Sequence, residues 1–107
     1  MYKKVCDYIL LMLSDIPKSL EKVSGADLDR EILRVGMIAE LDAISLYEQL
    51  AAMSENKDLK KVLLDIAKEE KTHSGEFEEL LKRFDVEYAS EVEAGKKEVE
   101  EMVGSSS

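Results

Sequence analysis

The sequence predicts an all-α protein built around an antiparallel hairpin of two long helices, flanked by shorter helices. The chain of 107 residues contains one proline, five glycines and no tryptophan, and 36% of its residues are charged, which is typical of helix-rich proteins. Apolar residues recur at alternating intervals of four and three along two long segments. No segment alternates in the way that a β-strand does. A chain of this length forms one domain with a modest core.

The N-terminal segment, residues 1–25, is predicted to be separate from the hairpin, and its sequence indicates no role. The pattern of Val5–Leu13 fits a short helix, and Asp15 with Pro17 fits the start of a second one. The apolar run Tyr8–Leu13 is too short to span a bilayer. No small-residue cleavage site follows it, so we do not expect a signal peptide.

The first long helix of the hairpin is predicted to start with Asp27 as its cap and to run to about Met53. A short polar turn follows. Asn56 or Asp58 is expected to cap the second long helix, which runs to about Phe84. The hairpin therefore covers residues 26–85.

Two further segments complete the predicted organisation. A shorter third helix is predicted from about Val86 to Met102, within a C-terminal unit of residues 86–103. The glycine and serine residues at 104–107 are expected to form a flexible tail.

Charge and cysteine content limit the classes of function. The 24 acidic and 15 basic residues give a net charge of −9, which argues against binding to nucleic acid or to an anionic membrane. The single cysteine, Cys6, cannot form an intrachain disulfide and is expected to pack as a small apolar residue. A reducing cytoplasm is therefore the expected compartment.

Each long helix carries an apolar stripe that is interrupted by polar residues at its middle. The stripe on the second helix consists of Leu59, Leu63, Ile66, Glu70, His73, Phe77, Leu80 and Phe84. The stripe on the first helix consists of Leu33, Met37, Glu40, Ile44, Tyr47 and Ala51. Both stripes have a period of 3.5 residues, which is typical of packed helices. The polar exceptions are Glu40 on the first helix and Glu70 with His73 on the second.

Folding the hairpin at residue 55 brings these exceptions together. Glu40 precedes that residue by fifteen positions and Glu70 follows it by fifteen. At a rise of about 1.5 Å per residue, both lie roughly 22 Å from the turn and face each other. Met37 is expected at the level of His73. Two carboxylates in an apolar seam require a compensating positive charge.

Two interpretations account for this cluster. In the structural one, His73 bonds Glu70 one turn away, and Glu40 pairs with a lysine. In the other, the three side chains bind a metal, because two carboxylates and an imidazole suit iron, manganese or zinc. The spacing Glu-x-x-His is also the ligand element of di-iron helical bundles. The combination of all three residues favours metal binding.

The number of candidate ligands predicts that the site is shared. A complete di-iron carboxylate site uses one Glu from each of two helices and Glu-x-x-His from each of two others. This chain has one of each and a single histidine. Two chains related by a two-fold axis would supply Glu40, Glu70 and His73 twice, in a four-helix bundle.

Two motifs resemble those of a known family, the encapsulated ferritins. They are AELDAISLYEQLA at Ala39–Ala51 and LLDIAKEEKTHSGEFEELL at Leu63–Leu81, within a similar region of about Glu31–Phe84. The resemblance implies a helical-hairpin subunit that pairs into a ferritin-like four-helix bundle, with a ferroxidase centre formed between two subunits. It further implies that such dimers assemble into a decameric ring.

The resemblance also implies residue roles. The family's ligands fall on Glu40, Glu70 and His73, Tyr47 matches a tyrosine beside the centre, and Asp42 matches an acid on the path by which metal enters. Some members carry a second acid where this chain has Ala39.

The implied cofactor is iron, with two ions per subunit pair, and manganese, zinc or calcium are expected as substitutes. The implied partner is an encapsulin shell protein, which in some members is fused to the ferritin-like part. The implied location is inside an encapsulin nanocompartment in the cytoplasm. The family's usual shell-targeting peptide is not visible in the serine tail.

Two other functions fit part of the pattern. A rubrerythrin-like peroxidase also uses a di-iron carboxylate site, but its single-chain forms carry both halves of that site. Many of these proteins add a cluster of cysteines, which the single cysteine of this chain excludes. A non-catalytic helical adaptor would use its buried acids only to select its pairing partner. Metal content of the purified protein separates the adaptor from both enzymes.

Overall fold

Three helices make up the computed structural model, which describes residues 25–105. They are α1 at Gly25–Met53, α2 at Lys57–Phe84 and α3 at Val86–Val103. No strand occurs in this range, so the all-α prediction is confirmed. The predicted helices at Val5–Leu13 and from Asp15, and the packing of Cys6, lie outside the described residues.

The two ends of the turn between α1 and α2 are held by side chains. The Asn56 side chain caps α2 by accepting a hydrogen bond of 2.9 Å from the Leu59 backbone N–H. The Ser54 hydroxyl accepts a bond of 3.1 Å from the Asn56 N–H. Of the two caps considered from the sequence, Asn56 is therefore the one used. Such a cap satisfies a backbone donor that the first turn of a helix leaves free.

The expected cap of α1 at Asp27 is wrong. The helix already includes Gly25, whose φ of 62° is a left-handed conformation that glycine adopts without strain. Asp27 lies in the first turn and pairs with Arg30 one turn later. An acid in the first turn still interacts favourably with the helix dipole.

Asp85 forms the joint between α2 and α3. Its backbone N–H donates to the Leu81 carbonyl at 2.8 Å and so closes α2. One carboxylate oxygen accepts from the Tyr88 N–H at 3.0 Å and so caps α3. The other accepts from Arg34 Nη2 at 3.2 Å. One side chain thus ties the start of α3 to α1.

The core of the hairpin lies between α1 and α2. Its buried apolar residues in the described range are Leu33, Leu46, Ala51, Ala67 and Leu81. Only Leu33 and Ala51 belong to the predicted stripes. Ala67 and Leu81 each follow a stripe residue by one position, which is about 100° further around the helix.

The core between α1 and α2 does not include the whole α2 stripe. Leu59, Leu80 and Phe84 are 52%, 44% and 50% exposed, respectively, and the neighbouring Val62 is 56% exposed. The stripe is divided, because α2 turns one edge of it toward α1 and leaves the other edge on the surface. Among the helices of residues 25–105, none has the length and apolarity that crossing a membrane requires.

Leu81→Ala should destabilise the hairpin by about 2–5 kcal/mol, because it removes a side chain that is only 2% exposed and leaves a cavity. Leu64→Ala is the matched control on the same helix, since Leu64 is 47% exposed. Urea unfolding at equal protein concentration measures both changes. Equal losses of stability in the two variants would contradict the described core.

Candidate metal centre

Three side chains from two helices meet at the middle of the hairpin. α1 contributes Glu40, and α2 contributes Glu70 and His73, which are one turn apart. One ligand atom from each residue lies within 4.8 Å of the other two. Among residues 25–105 this is the one group of three such side chains close enough to share a metal ion. The structure therefore brings together the three residues that the stripe spacing predicts.

The distances within the cluster suit a shared ion better than direct hydrogen bonds. His73 Nδ1 lies 3.5 Å from Glu70 Oε2 and 3.7 Å from Glu40 Oε2. Hydrogen bonds between such atoms are about 2.7–3.2 Å long. Donors bound to one metal at about 2.0–2.2 Å are separated from each other by roughly 3–3.5 Å.

Burial makes the cluster electrostatically unfavourable by itself. The side chains of Glu40 and Glu70 are 19% and 20% exposed, while that of His73 is 45% exposed. Glu40 Oε2 is completely buried and has no hydrogen-bond partner among residues 25–105. A buried carboxylate oxygen without a partner carries a desolvation cost that a cation would remove. This oxygen is the strongest sign in the structure that the donor set fits a metal.

The structural interpretation, in which a lysine neutralises Glu40, finds no support in the described part of the chain. Lys71 follows Glu70 directly but pairs with Glu48 of α1 at 2.9 Å. Among residues 25–105 no lysine or arginine pairs with Glu40 or Glu70. His73 is the only basic side chain beside the two carboxylates in this range.

Asp42 and Tyr47, to which the resemblance gives supporting roles, lie outside the group of three donors. Asp42 follows Glu40 by two positions, which places it on the far side of α1, where it is half-buried. Tyr47 lies two turns after Glu40 on the same stripe and is also half-buried. Their roles stay predictions.

Gly36 is a residue of the site region that the sequence analysis did not single out. It lies one turn before Glu40, and a Cβ placed on it would meet the Phe77 ring at 3.0 Å. The available signal was a glycine inside a long helix, where glycine costs about 1 kcal/mol relative to alanine. A glycine at such a position can indicate that a neighbouring element packs closely against the helix.

Comparison with known proteins identifies the family and the fold. Residues 31–105 match the family model described as Rubrerythrin. The crystal structure of the encapsulated ferritin domain from Pyrococcus furiosus superposes with a TM-score of 0.70 and 46% identity, covering 88% of this chain and 90% of that one.

Two relatives match over shorter shares of their length. One is the ferritin-like-encapsulin shell fusion protein of Pyrococcus furiosus, at 54% identity over 69% of this chain and 21% of the relative. The other is the encapsulin nanocompartment cargo protein EncC of Myxococcus xanthus, at 39% identity over 64% of this chain and 52% of the relative. The chain thus spans about a fifth of the first relative and about half of the second. The chain belongs to the rubrerythrin family of ferritin-like proteins and, within that fold, to the encapsulated ferritins.

Proposed function

We propose that this protein is a ferroxidase, which oxidises Fe²⁺ to Fe³⁺ with dioxygen at a di-iron site shared between two copies of the chain. The observation that carries the proposal is the meeting of Glu40, Glu70 and His73, where one buried carboxylate oxygen has no hydrogen-bond partner in the described part of the chain. Two carboxylates and one imidazole form a donor set suited to iron. Membership of a ferritin-like family supports the same metal.

The chain supplies half of the ligands that a di-iron site requires. Glu40 corresponds to the single glutamate of one helix, and Glu70 with His73 corresponds to the Glu-x-x-His of the next. A second copy, related by a two-fold axis, would supply the other half. The four ligand-bearing helices would then form one bundle around two irons.

The surface around His73 supports a second copy as the partner. The His73 side chain is 45% exposed, so one edge of the cluster is open. The same edge of α2 exposes a row of apolar side chains, Leu59, Val62, Leu80 and Phe84. A two-fold partner would cover this row and close the cluster at the same time. Further assembly into a decameric ring is the arrangement that the family resemblance implies.

Iron is the substrate of the proposed reaction, and the protein supplies ligands and exclusion of water. Each Fe²⁺ gives one electron, and two electrons with two protons convert one dioxygen to hydrogen peroxide. Glu40 and Glu70 would bridge or hold the ions, and each His73 would supply a terminal nitrogen. Negative carboxylates stabilise the higher charge of Fe³⁺ over that of Fe²⁺. Manganese, zinc and calcium are the expected substitutes.

The two supporting residues complete the proposed site. Asp42 would attract metal along its path to the centre, and Tyr47 would lie beside the centre. Both roles rest on the family resemblance, and variants of Asp42 and Tyr47 would test them.

The relatives' names support a role in a compartment. One relative is a fusion with an encapsulin shell and another is an encapsulin cargo protein. We propose that this chain likewise works inside an encapsulin nanocompartment in the cytoplasm, either fused to the shell protein or carried by it. A small helical bundle encloses no space for a mineral core, so iron storage would depend on the shell.

A rubrerythrin-like peroxidase is the second candidate, because the family model that matches residues 31–105 is that of rubrerythrin. The two functions differ in their oxidant. Fe²⁺ oxidation followed with dioxygen and, anaerobically, with hydrogen peroxide separates them. Rapid turnover with peroxide and little with dioxygen would replace the ferroxidase proposal by this one.

Glu70→Ala and His73→Ala should each lower Fe²⁺ affinity and oxidation rate by at least about tenfold, because each removes a ligand. The matched control is Glu69→Ala, which removes the adjacent, exposed carboxylate of the same helix. Ultraviolet absorbance of the Fe³⁺ product and metal content after purification without chelator are the measurements. Parent-like oxidation in either ligand variant would refute the metal assignment, and a metal-free parent would favour the helical adaptor.

Metal should promote association of the chains. Pairing without metal brings four glutamates into one seam, and their repulsion opposes it. Divalent metal removes this repulsion and binds the dimer in preference to the monomer, so mass action shifts the population toward dimers and larger rings. Mass in solution, with and without Fe²⁺ under anaerobic conditions, measures the shift.

Glu40→Ala is the informative variant for this linkage. It should weaken metal binding but relieve repulsion, so its metal-free assembly should be no worse than that of the metal-free parent. A parent monomer that binds two irons per chain, with no change of mass on adding iron, would rule out the shared site.

A further inference from the structure

Gly36 and Phe77 form the tightest described contact of a glycine with the facing helix. A Cβ built on Gly36 would lie 3.0 Å from Phe77 Cε1 and Cζ and 3.1 Å from Cδ1. Such distances are too short for an unstrained methyl group, so the ring edge rests directly on the backbone of α1. The neighbouring helices can approach this closely only because position 36 has no side chain.

Backbone conformation does not account for the glycine. Among residues 25–105 only Gly25 and Gly104 have positive φ, so Gly36 adopts a conformation open to any residue. Inside a helix it is less favourable than alanine. Gly75 and Gly95, also inside helices, have nothing within 4 Å of an added Cβ. Close approach to Phe77 therefore distinguishes Gly36 from Gly75 and Gly95.

The contact lies in the layer next to the candidate ligands. Gly36 is one turn before Glu40 on α1, and Phe77 is one turn after His73 on α2. Glu40 approaches the other two donors across the same helix pair, with His73 Nδ1 at 3.7 Å. The separation of α1 and α2 at the Gly36–Phe77 layer therefore controls how far Glu40 lies from Glu70 and His73.

We infer that Gly36 and Phe77 are positioning residues, which set the α1–α2 separation that lets Glu40, Glu70 and His73 bind one metal. The inference rests on the proposed function in taking those three residues as ligands. Metal–ligand distances tolerate deviations of only about 0.2 Å. A methyl group at position 36 would displace the ring or the helix by a few tenths of an ångström. Where the helix takes up this displacement, Glu40 shifts by more than the tolerated deviation.

The experiment crowds the contact from each side. Gly36→Ala adds a methyl group on α1, and Phe77→Trp enlarges the ring on α2, so the test does not depend on one variant. Gly75→Ala is the control, because it makes the same replacement two residues from His73 in open space. Circular dichroism of the metal-free proteins verifies that each keeps the helicity of the parent.

Affinity is measured by anaerobic calorimetric titration with Fe²⁺, and ligand geometry by the visible spectrum of the Co²⁺-saturated protein. We expect the crowding variants to bind Fe²⁺ about tenfold more weakly than the parent, as for other changes that misorient metal ligands, and Gly75→Ala to stay within about twofold. The Co²⁺ spectrum should change in the crowding variants only, which a loss of overall stability alone would not produce.

Replacing the Phe77 ring by a smaller side chain should reduce the loss of Fe²⁺ affinity that Gly36→Ala causes. In a Phe77→Leu background, Gly36→Ala should cost less than about threefold in Fe²⁺ affinity, since the two residues then no longer collide. An undiminished loss in that background would overturn the inference. Parent-like affinity and an unchanged Co²⁺ spectrum in the folded crowding variants would overturn it as well.

Glu70→Ala, titrated in parallel, distinguishes this failure from failure of the proposed function. If Glu70→Ala loses Fe²⁺ while Gly36→Ala keeps it, only the positioning role is wrong. If Glu70→Ala binds Fe²⁺ as the parent does, the ligand assignment itself is wrong, and the positioning role falls with it.

Discussion

The buried carboxylates of Glu40 and Glu70 limit how α1 and α2 can pack. They are about four-fifths buried, and no lysine or arginine within residues 25–105 pairs with them. Helices that carry such charges pack stably when their separation and register are set and the charges are neutralised by a cation or by protons. The short capped turn provides the register. Close packing beside the cluster provides the separation, and a metal is the positive charge that the donor set fits.

The two edges of the hairpin use side chains of different size. Where α1 and α2 touch, small residues recur, with Ala51 and Ala67 each 1% exposed and Gly36 against the Phe77 ring. Small residues let two helix backbones approach closely, so side chains as short as glutamate can meet across the gap. Leu59, Leu80 and Phe84 of the α2 stripe are instead exposed. The close contact of α1 and α2 thus allows the cluster to form, and the exposed apolar residues of α2 are available to pack against a further partner.

The sequence predicts the position of the cluster along the helices well, because helical rise is constant and the turn is short. Equal spacing of Glu40 and Glu70 from residue 55 was sufficient to bring them to one level. Rotation about the helix axis was not predictable in the same way. An apolar stripe that packs against two partners has the same period as one that packs against a single partner. The sequence therefore could not show that Leu81 is buried in the hairpin while Leu80 is exposed.

Sharing the site between chains would make association part of the chemistry. A monomer would present Glu40, Glu70 and His73 with one edge open, as the exposure of His73 indicates. Its three donors cannot fill the coordination of two irons. Association then closes the open edge, doubles the donor set and covers the apolar row in one step. Because metal binding and pairing each lower the cost of the other, the proposed oxidation would be confined to the assembled form.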